Sequence, residues 1–162
     1  MEAVTVWLMN INGYEIEPGA ELSGANLIGA NLTKANLERA FLTSANLVGA
    51  ILVEASLVFI RSNQANLPHA NLSNANLTDG RLICANLPYA KFVDANLQGA
   101  TLAGANLYRA DLTRANLTNA VLEGANLLRA KLAHANLAGA VMPDGSIFDG
   151  NYTRFTRPKN PI

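Results

Sequence analysis

The chain has 162 residues, which suits one domain, and half of it is apolar although only 6% is aromatic and 15% charged. Its apolar content is therefore mostly Ala and Leu, which fits a narrow, repetitive core better than a mixed globular one. Twelve Lys and Arg balance twelve Asp and Glu, so no net field recruits nucleic acid or anionic lipid.

The first element in chain order is a hairpin signal. Asn12-Gly13 stands between Met9, Ile11, Tyr14 and Ile16, the turn pair that two-residue hairpins favour. Residues 1–19 are expected to form an N-terminal cap around it. The stretch Met1 to Met9 is apolar but short, lacks a basic flank and carries Glu2, so it does not read as a signal peptide. Asn or a charge interrupts every apolar run, which excludes a transmembrane helix. The single Cys84 cannot form an intrachain disulfide and agrees with a reducing compartment. A cytoplasmic location with no membrane partner is the expectation.

From Ala20 to Asp144 the chain divides into twenty-five consecutive five-residue units without an insertion. The central position (22, 27, 32 and onward to 142) is Leu in twenty-two of them, with Ser62, Phe92 and Met142 departing. Two residues earlier stands Ala, except at Ile60 and Gly80, and between the two Asn occurs thirteen times. On a helix, five residues advance about 140° beyond a full turn, which scatters the Leu positions over every face. On a continuous strand an odd repeat throws successive Leu residues to opposite faces. Both conflicts vanish if three residues run extended and two turn a corner: Ala and Leu then point inward and the residue between them outward.

A spacing of twenty selects four sides. It sets bulky Ile60 beside small Gly80, a volume compensation that close packing demands. It also pairs Lys34 with Glu54, Asp94 with Arg114, and Asp111 with Lys91 and Lys131. Asn aligns in two columns, Asn26 to Asn126 and Asn36 to Asn136, the latter interrupted only by Ser56. Amide ladders between stacked Asn side chains are expected.

The tandem Ala-Asn-Leu-x-x units resemble the pentapeptide-repeat family. The flanks Glu17-Pro18-Gly19-Ala20 and Met142-Pro143-Asp144-Gly145 look like those of the same family. The resemblance covers residues 20–144 and implies an all-β fold, a right-handed quadrilateral β-helix (β-solenoid) of about six coils of 20 residues. Beyond it, residues 145–162 are expected to form a C-terminal cap, with Ile147, Phe148, Tyr152 and Phe155 over the last coil, and a mobile tail from Arg157.

No catalytic constellation emerges. His69 and His134 fall on different faces about three layers apart and cannot share a metal; Cys84 occupies a corner without a His nearby. The glycines at corners follow turn geometry rather than a phosphate-binding motif. The chain therefore reads as no enzyme, with no cofactor and no metal. The unit Ile60-Arg61-Ser62, preceded by Phe59, is the least regular, and a local distortion is expected there. Arg61 and Arg81 become neighbours without an acid between them.

The outward columns carry more information. Along one corner run Ile28, Val48, Pro68, Pro88, Tyr108 and Leu128, and beside them Gly29, Gly49, His69, Tyr89, Arg109 and Arg129. The candidate partner-binding surface is the end of this apolar stripe: Tyr89, Tyr108, Arg109, Leu128 and Arg129, residue types that include those enriched at hot spots. The expected function is a protein–protein interaction scaffold, with another protein as partner. An alternative implied by the resemblance is a DNA-mimicking modulator of DNA gyrase, and zero net charge argues against it. The column Thr33, Val53, Ser73, Val93, Thr113 is too irregular for an ice-binding face. Charge also divides along the chain: residues 1–60 hold six acids against Lys34 and Arg39, and residues 61–162 hold ten bases against six acids. A monomer, or weak end-to-end association, is the expectation.

Overall fold

The computed structural model describes residues 9–157. Residues 1–8 of the N-terminal segment and 158–162 of the expected mobile tail lie outside the described residues.

One unit explains the coil. In Leu22-Ser23-Gly24-Ala25 the Ala25 amide donates to the Leu22 carbonyl at 3.0 Å, closing a turn whose third residue, Gly24, has φ 68°. That is the type II pattern. The same conformation recurs at the equivalent corner of other units even without glycine, as at Lys34 (φ 59°), Phe59 (55°), Tyr89 (59°) and Arg109 (57°). A side chain in this region carries strain of about 1 kcal/mol or more. Backbone bonds on both sides hold it there: Tyr89 N donates to the Tyr108 carbonyl at 2.9 Å and Ala90 N to the Leu87 carbonyl at 3.2 Å. The corner is a property of the stacked backbone, and glycine is only one way to occupy it.

Each unit is joined in parallel to the unit twenty residues on, in four columns: Glu21 to Val141, Asn26 to Asn126, Asn31 to Lys131 and Asn36 to Asn136. Phe41 N donates to the Ala20 carbonyl at 2.9 Å, and Leu22 N to the Phe41 carbonyl at 2.8 Å. Inward Leu and Ala side chains, with Phe92 and Met142 in the exceptional units, make one continuous buried cluster. Each Leu contributes roughly 1.5–3 kcal/mol when buried. Outside, amide ladders join Asn46, Asn66, Asn86, Asn106 and Asn126 at 2.9–3.3 Å. Asn76, Asn96 and Asn116 are linked in the same way.

The unit holding Ile60 and Ser62 is regular rather than distorted. Arg61 N donates to the Ala40 carbonyl at 3.0 Å and Ser62 N to the Arg81 carbonyl at 2.8 Å. Ile60 is buried in the layer against Gly80, where an added Cβ would stand 3.0 Å from Ile60 Cγ2. Ser62 is also buried, and its hydroxyl donates to the Arg81 carbonyl at 3.3 Å. Gly80 supplies the room, so the backbone has no need to move. A void of about 10 Å³ remains in the core, lined by Ile60, Ser62 and surrounding leucines.

At the first coil, β1 (Met9–Ile11) pairs antiparallel with β2 (Tyr14–Ile16). Asn12 and Gly13 between them have φ 54° and 85°, positive at both central positions as a type I′ turn requires. Asn12 Nδ2 donates to the Asn26 carbonyl at 3.2 Å; Ile16 is buried, and Ile11 and Tyr14 pack against the core. At the other end Val141 bridges Ile147 in the antiparallel sense, and a short helix, α1 (Thr153–Thr156), follows. Phe148, Tyr152 and Phe155 lie against the core, but Ile147 is 60% exposed. Neighbours along an extended segment face opposite ways, so the inward Phe148 turns Ile147 out.

Candidate functional site

The corner after the second column presents a layered aromatic and basic cluster. His69, Tyr89 and Arg109 all adopt positive φ at successive levels about 4.8 Å apart, which projects their side chains to the same side. The His69 and Tyr89 rings stack with centroids 4.9 Å apart and planes 9° from parallel. Tyr89 meets Tyr108 edge to face, at 5.7 Å and 89°. The Arg109 guanidinium carbon lies 5.7 Å from the Tyr89 ring centre and 5.4 Å from that of Tyr108. Contacts of this kind hold a cation over ring faces while leaving its N–H edge to solvent. Tyr89 and Arg109 are exposed, and Tyr108 is half-buried.

Of the five residues expected in this surface, the structure thus joins Tyr89, Tyr108 and Arg109. Leu128 and Arg129 occupy the next level, where the C-terminal segment takes over. Arg129 N donates to the Thr156 carbonyl at 2.6 Å, and half-buried Leu128 lines a cleft with Pro143, Phe155 and Arg157. Leu128 is therefore part of the packing under α1 as much as of an outer patch. The rest of the apolar column is not a continuous exposed stripe: Ile28 is 53% exposed, but Val48, Pro68 and Pro88 are half-buried because each level covers the next. His69 precedes Tyr89 by twenty residues in the same column, and it extends the cluster through its stack on that ring.

Opposite charges twenty residues apart form the expected pairs with one exception. Lys34 Nζ lies 3.5 Å from Glu54, and Arg114 grips Asp94 with two bonds of 2.7 and 2.6 Å. The Arg114 hydrogen bond holds the Asp94 carboxyl below its ordinary value. Asp111 pairs with Lys131 at 3.2 Å and not with Lys91, because its other oxygen already accepts from the Thr113 hydroxyl at 2.6 Å and amide at 3.1 Å. Partial burial pushes the Asp111 carboxyl up, but these bonds and Lys131 outweigh it and leave the group below its ordinary value. Cys84 is exposed. Among the described residues, no three His, Cys, Asp or Glu side chains gather where they could hold a metal ion, and no helix is long and apolar enough to cross a membrane. The surface presents stacked rings, guanidinium groups held against them and amide ladders.

HetL, a pentapeptide-repeat protein involved in heterocyst differentiation regulation in the cyanobacterium Nostoc sp. strain PCC 7120, is 35% identical over 80% of this chain and 75% of its own, with a TM-score of 0.36. Rfr23, from the cyanobacterium Cyanothece 51142, is also 35% identical, over 67% of this chain and 64% of its own, with a TM-score of 0.40. The plasmid-mediated fluoroquinolone resistance protein QnrB1 shares the fold at 16% identity, over 82% of this chain and 70% of its own, with a TM-score of 0.52. No curated protein matches the chain in sequence. The family profile of pentapeptide repeats matches in eight copies across residues 20–57, 63–88, 90–127 and 110–144, and the chain belongs to the pentapeptide-repeat family.

Proposed function

We propose that this protein is a non-enzymatic protein-interaction scaffold that engages a protein partner through the corner formed by Tyr89, Tyr108 and Arg109, with Leu128 and Arg129 at its edge. The observation that carries the reading is the placement of Arg109 against two tyrosine rings, themselves continued by His69. Tyr and Arg are the residues on which binding energy concentrates at interfaces. Here their rotamers are already restricted by mutual stacking, which lowers the ordering cost of association. The supporting rod is a right-handed coil of about six turns, with the terminal segments covering its ends. A free thiol and a neutral charge balance suit a cytoplasmic protein, and that balance does not suit imitation of a polyanion.

Affinity capture from the native cell, run in parallel with wild type and with Tyr108→Ser/Arg109→Glu, tests the reading. The double variant is expected to lose the partner that wild type retains, while its unfolding midpoint stays close to wild type. Equal recovery of the same partner by both would overturn it.

A further inference from the structure

A second surface lies across the rod, where the corner after the fourth column meets the first. Phe41, Arg61 and Arg81 follow one another down the first column, and Arg39, Phe59 and Asp79 follow one another at the adjoining corner, all at twenty-residue spacing. Together they line a cleft of about 530 Å³. The two sets interlock as a checkerboard: the Arg61 guanidinium carbon is 4.7 Å from the Phe41 ring centre, and that of Arg39 is 5.5 Å from Phe59. Phe59 is 43% exposed although its φ is 55°, an uncommon setting for a bulky residue.

The charges of this cleft are unbalanced. Among the described residues no carboxylate lies within 4.0 Å of Arg61 or Arg81, whereas Arg39 lies 3.7 Å from Glu38, and Arg114, Lys131 and Arg154 each hold an aspartate. Asp79 is the one acid in the wall. Its carboxylate is turned over Gly99, where an added Cβ would collide with Oδ1. Phe41 takes the face of the Arg61 guanidinium and leaves its N–H edge for an acceptor. Arg61 and Arg81 are one layer apart, about 4.8 Å, close enough for a single carboxylate to accept from both.

We infer that this cleft binds an acidic segment of a protein partner, one carboxylate between Arg61 and Arg81 and an adjacent apolar side chain on Phe41 and Phe59. It rests on the reading of the protein as an interaction scaffold but uses a different corner. Charge complementarity selects the occupant. Arg61 and Arg81 carry the unpaired charge, and with Arg39, which already pairs with Glu38, the guanidinium groups span three levels, roughly 10 Å, which matches about three extended residues. A nucleic-acid strand would need a longer cationic track and would meet Asp79.

The test follows the Arg Nε–H and Phe ring resonances of the full chain by NMR during titration with acetyl-Leu-Glu-Phe-Glu-amide. Saturable shifts are expected at Arg61, Arg81, Phe41 and Phe59. Affinity should fall about tenfold or more in Arg61→Gln and again in Arg81→Gln. The peptide with Gln in place of both Glu should bind at least about tenfold more weakly. Tyr108→Ser/Arg109→Glu should leave the titration unchanged, which separates this surface from the other. The proposal is overturned if the shifts fail to saturate, if inorganic phosphate displaces the peptide at equal concentration, or if an oligothymidylate binds the cleft more tightly than the peptide.

Discussion

Replacing Gly80 by Ala tests the packing logic of the coil at its most irregular layer. Gly80 lies outside the left-handed region, so Ala meets no backbone penalty there. The new Cβ would stand 3.0 Å from Ile60 Cγ2, 3.0 Å from the Leu77 carbonyl oxygen and 3.4 Å from Leu82 Cδ1. The carbonyl contact belongs to the turn itself, since Ala75 makes the same turn to Leu72 with its Cβ in place. What is new is the collision with Ile60. Overpacking of this size costs about 1–3 kcal/mol, offset by about 0.4–1 kcal/mol from a less flexible unfolded chain, which leaves a net loss between about 0 and 2.6 kcal/mol, centred near about 1.3 kcal/mol. Ile60→Ala alone opens a cavity beside a residue with no side chain to fill it and should cost about 3–5 kcal/mol. In the double variant the new methyl occupies part of that cavity, so the loss should fall short of the sum by about 2 kcal/mol. Adding Ser62→Leu restores the regular unit and should return stability to wild type or above. Urea unfolding followed by far-UV circular dichroism measures all four. Additivity of Gly80→Ala and Ile60→Ala within about 0.5 kcal/mol, or a stabilising Gly80→Ala, refutes the reasoning.

Three further outcomes follow from the same geometry. Asn86 links Asn66 and Asn106 at 2.9 and 3.1 Å, so Asn86→Ala should cost about 1 kcal/mol in urea unfolding, whereas no measurable loss would deny the ladder a structural role. The carboxyls of Asp94, Asp111, Asp144 and Asp149 lie below their ordinary value of 3.8 in the folded chain. Their contribution is therefore complete above that value and lost as pH falls through the lower folded values; Asp94→Asn with Asp111→Asn should flatten the decline in unfolding midpoint below about pH 4, and an unchanged slope would count against it. If rods associate end to end through their opposite charges, sedimentation should detect the association at low ionic strength and its loss at high, while a monomer at both would remove it.

The register was readable because two kinds of exception align at the same spacing. Ile60 and Gly80 trade volume, and Lys34 and Glu54, or Asp94 and Arg114, trade charge, so a twenty-residue turn satisfies packing and electrostatics together. The corners were only partly readable. Glycine at 24, 29 and 49 suggested residues chosen for the turn, yet Phe59, Tyr89 and Arg109 adopt the same φ, because stacked backbone bonds hold the conformation whatever the side chain. This is also why the Tyr89–Arg109 and Arg39–Phe59 contacts form: a positive φ throws long side chains into the path of those one layer away. Arg39 and Phe59, like Phe41 and Arg61, stand twenty residues apart, so the second cleft was within reach of the register. The competition that gives Asp111 to Lys131 depends on side-chain geometry within the Thr113 turn, and the cover over Leu128 depends on where the last turn directs the chain. Neither has a periodic trace.

The most direct test of the interaction reading is site-specific photocrosslinking in the native cell. A benzophenone side chain replaces Tyr89 or Tyr108 at the proposed corner, or Gln64 or His134 at exposed corners elsewhere on the rod. One discrete crosslinked protein shared by positions 89 and 108, and missing at 64 and 134, is the predicted result. The same crosslink at all four positions, or a crosslink confined to 64 and 134, would contradict it.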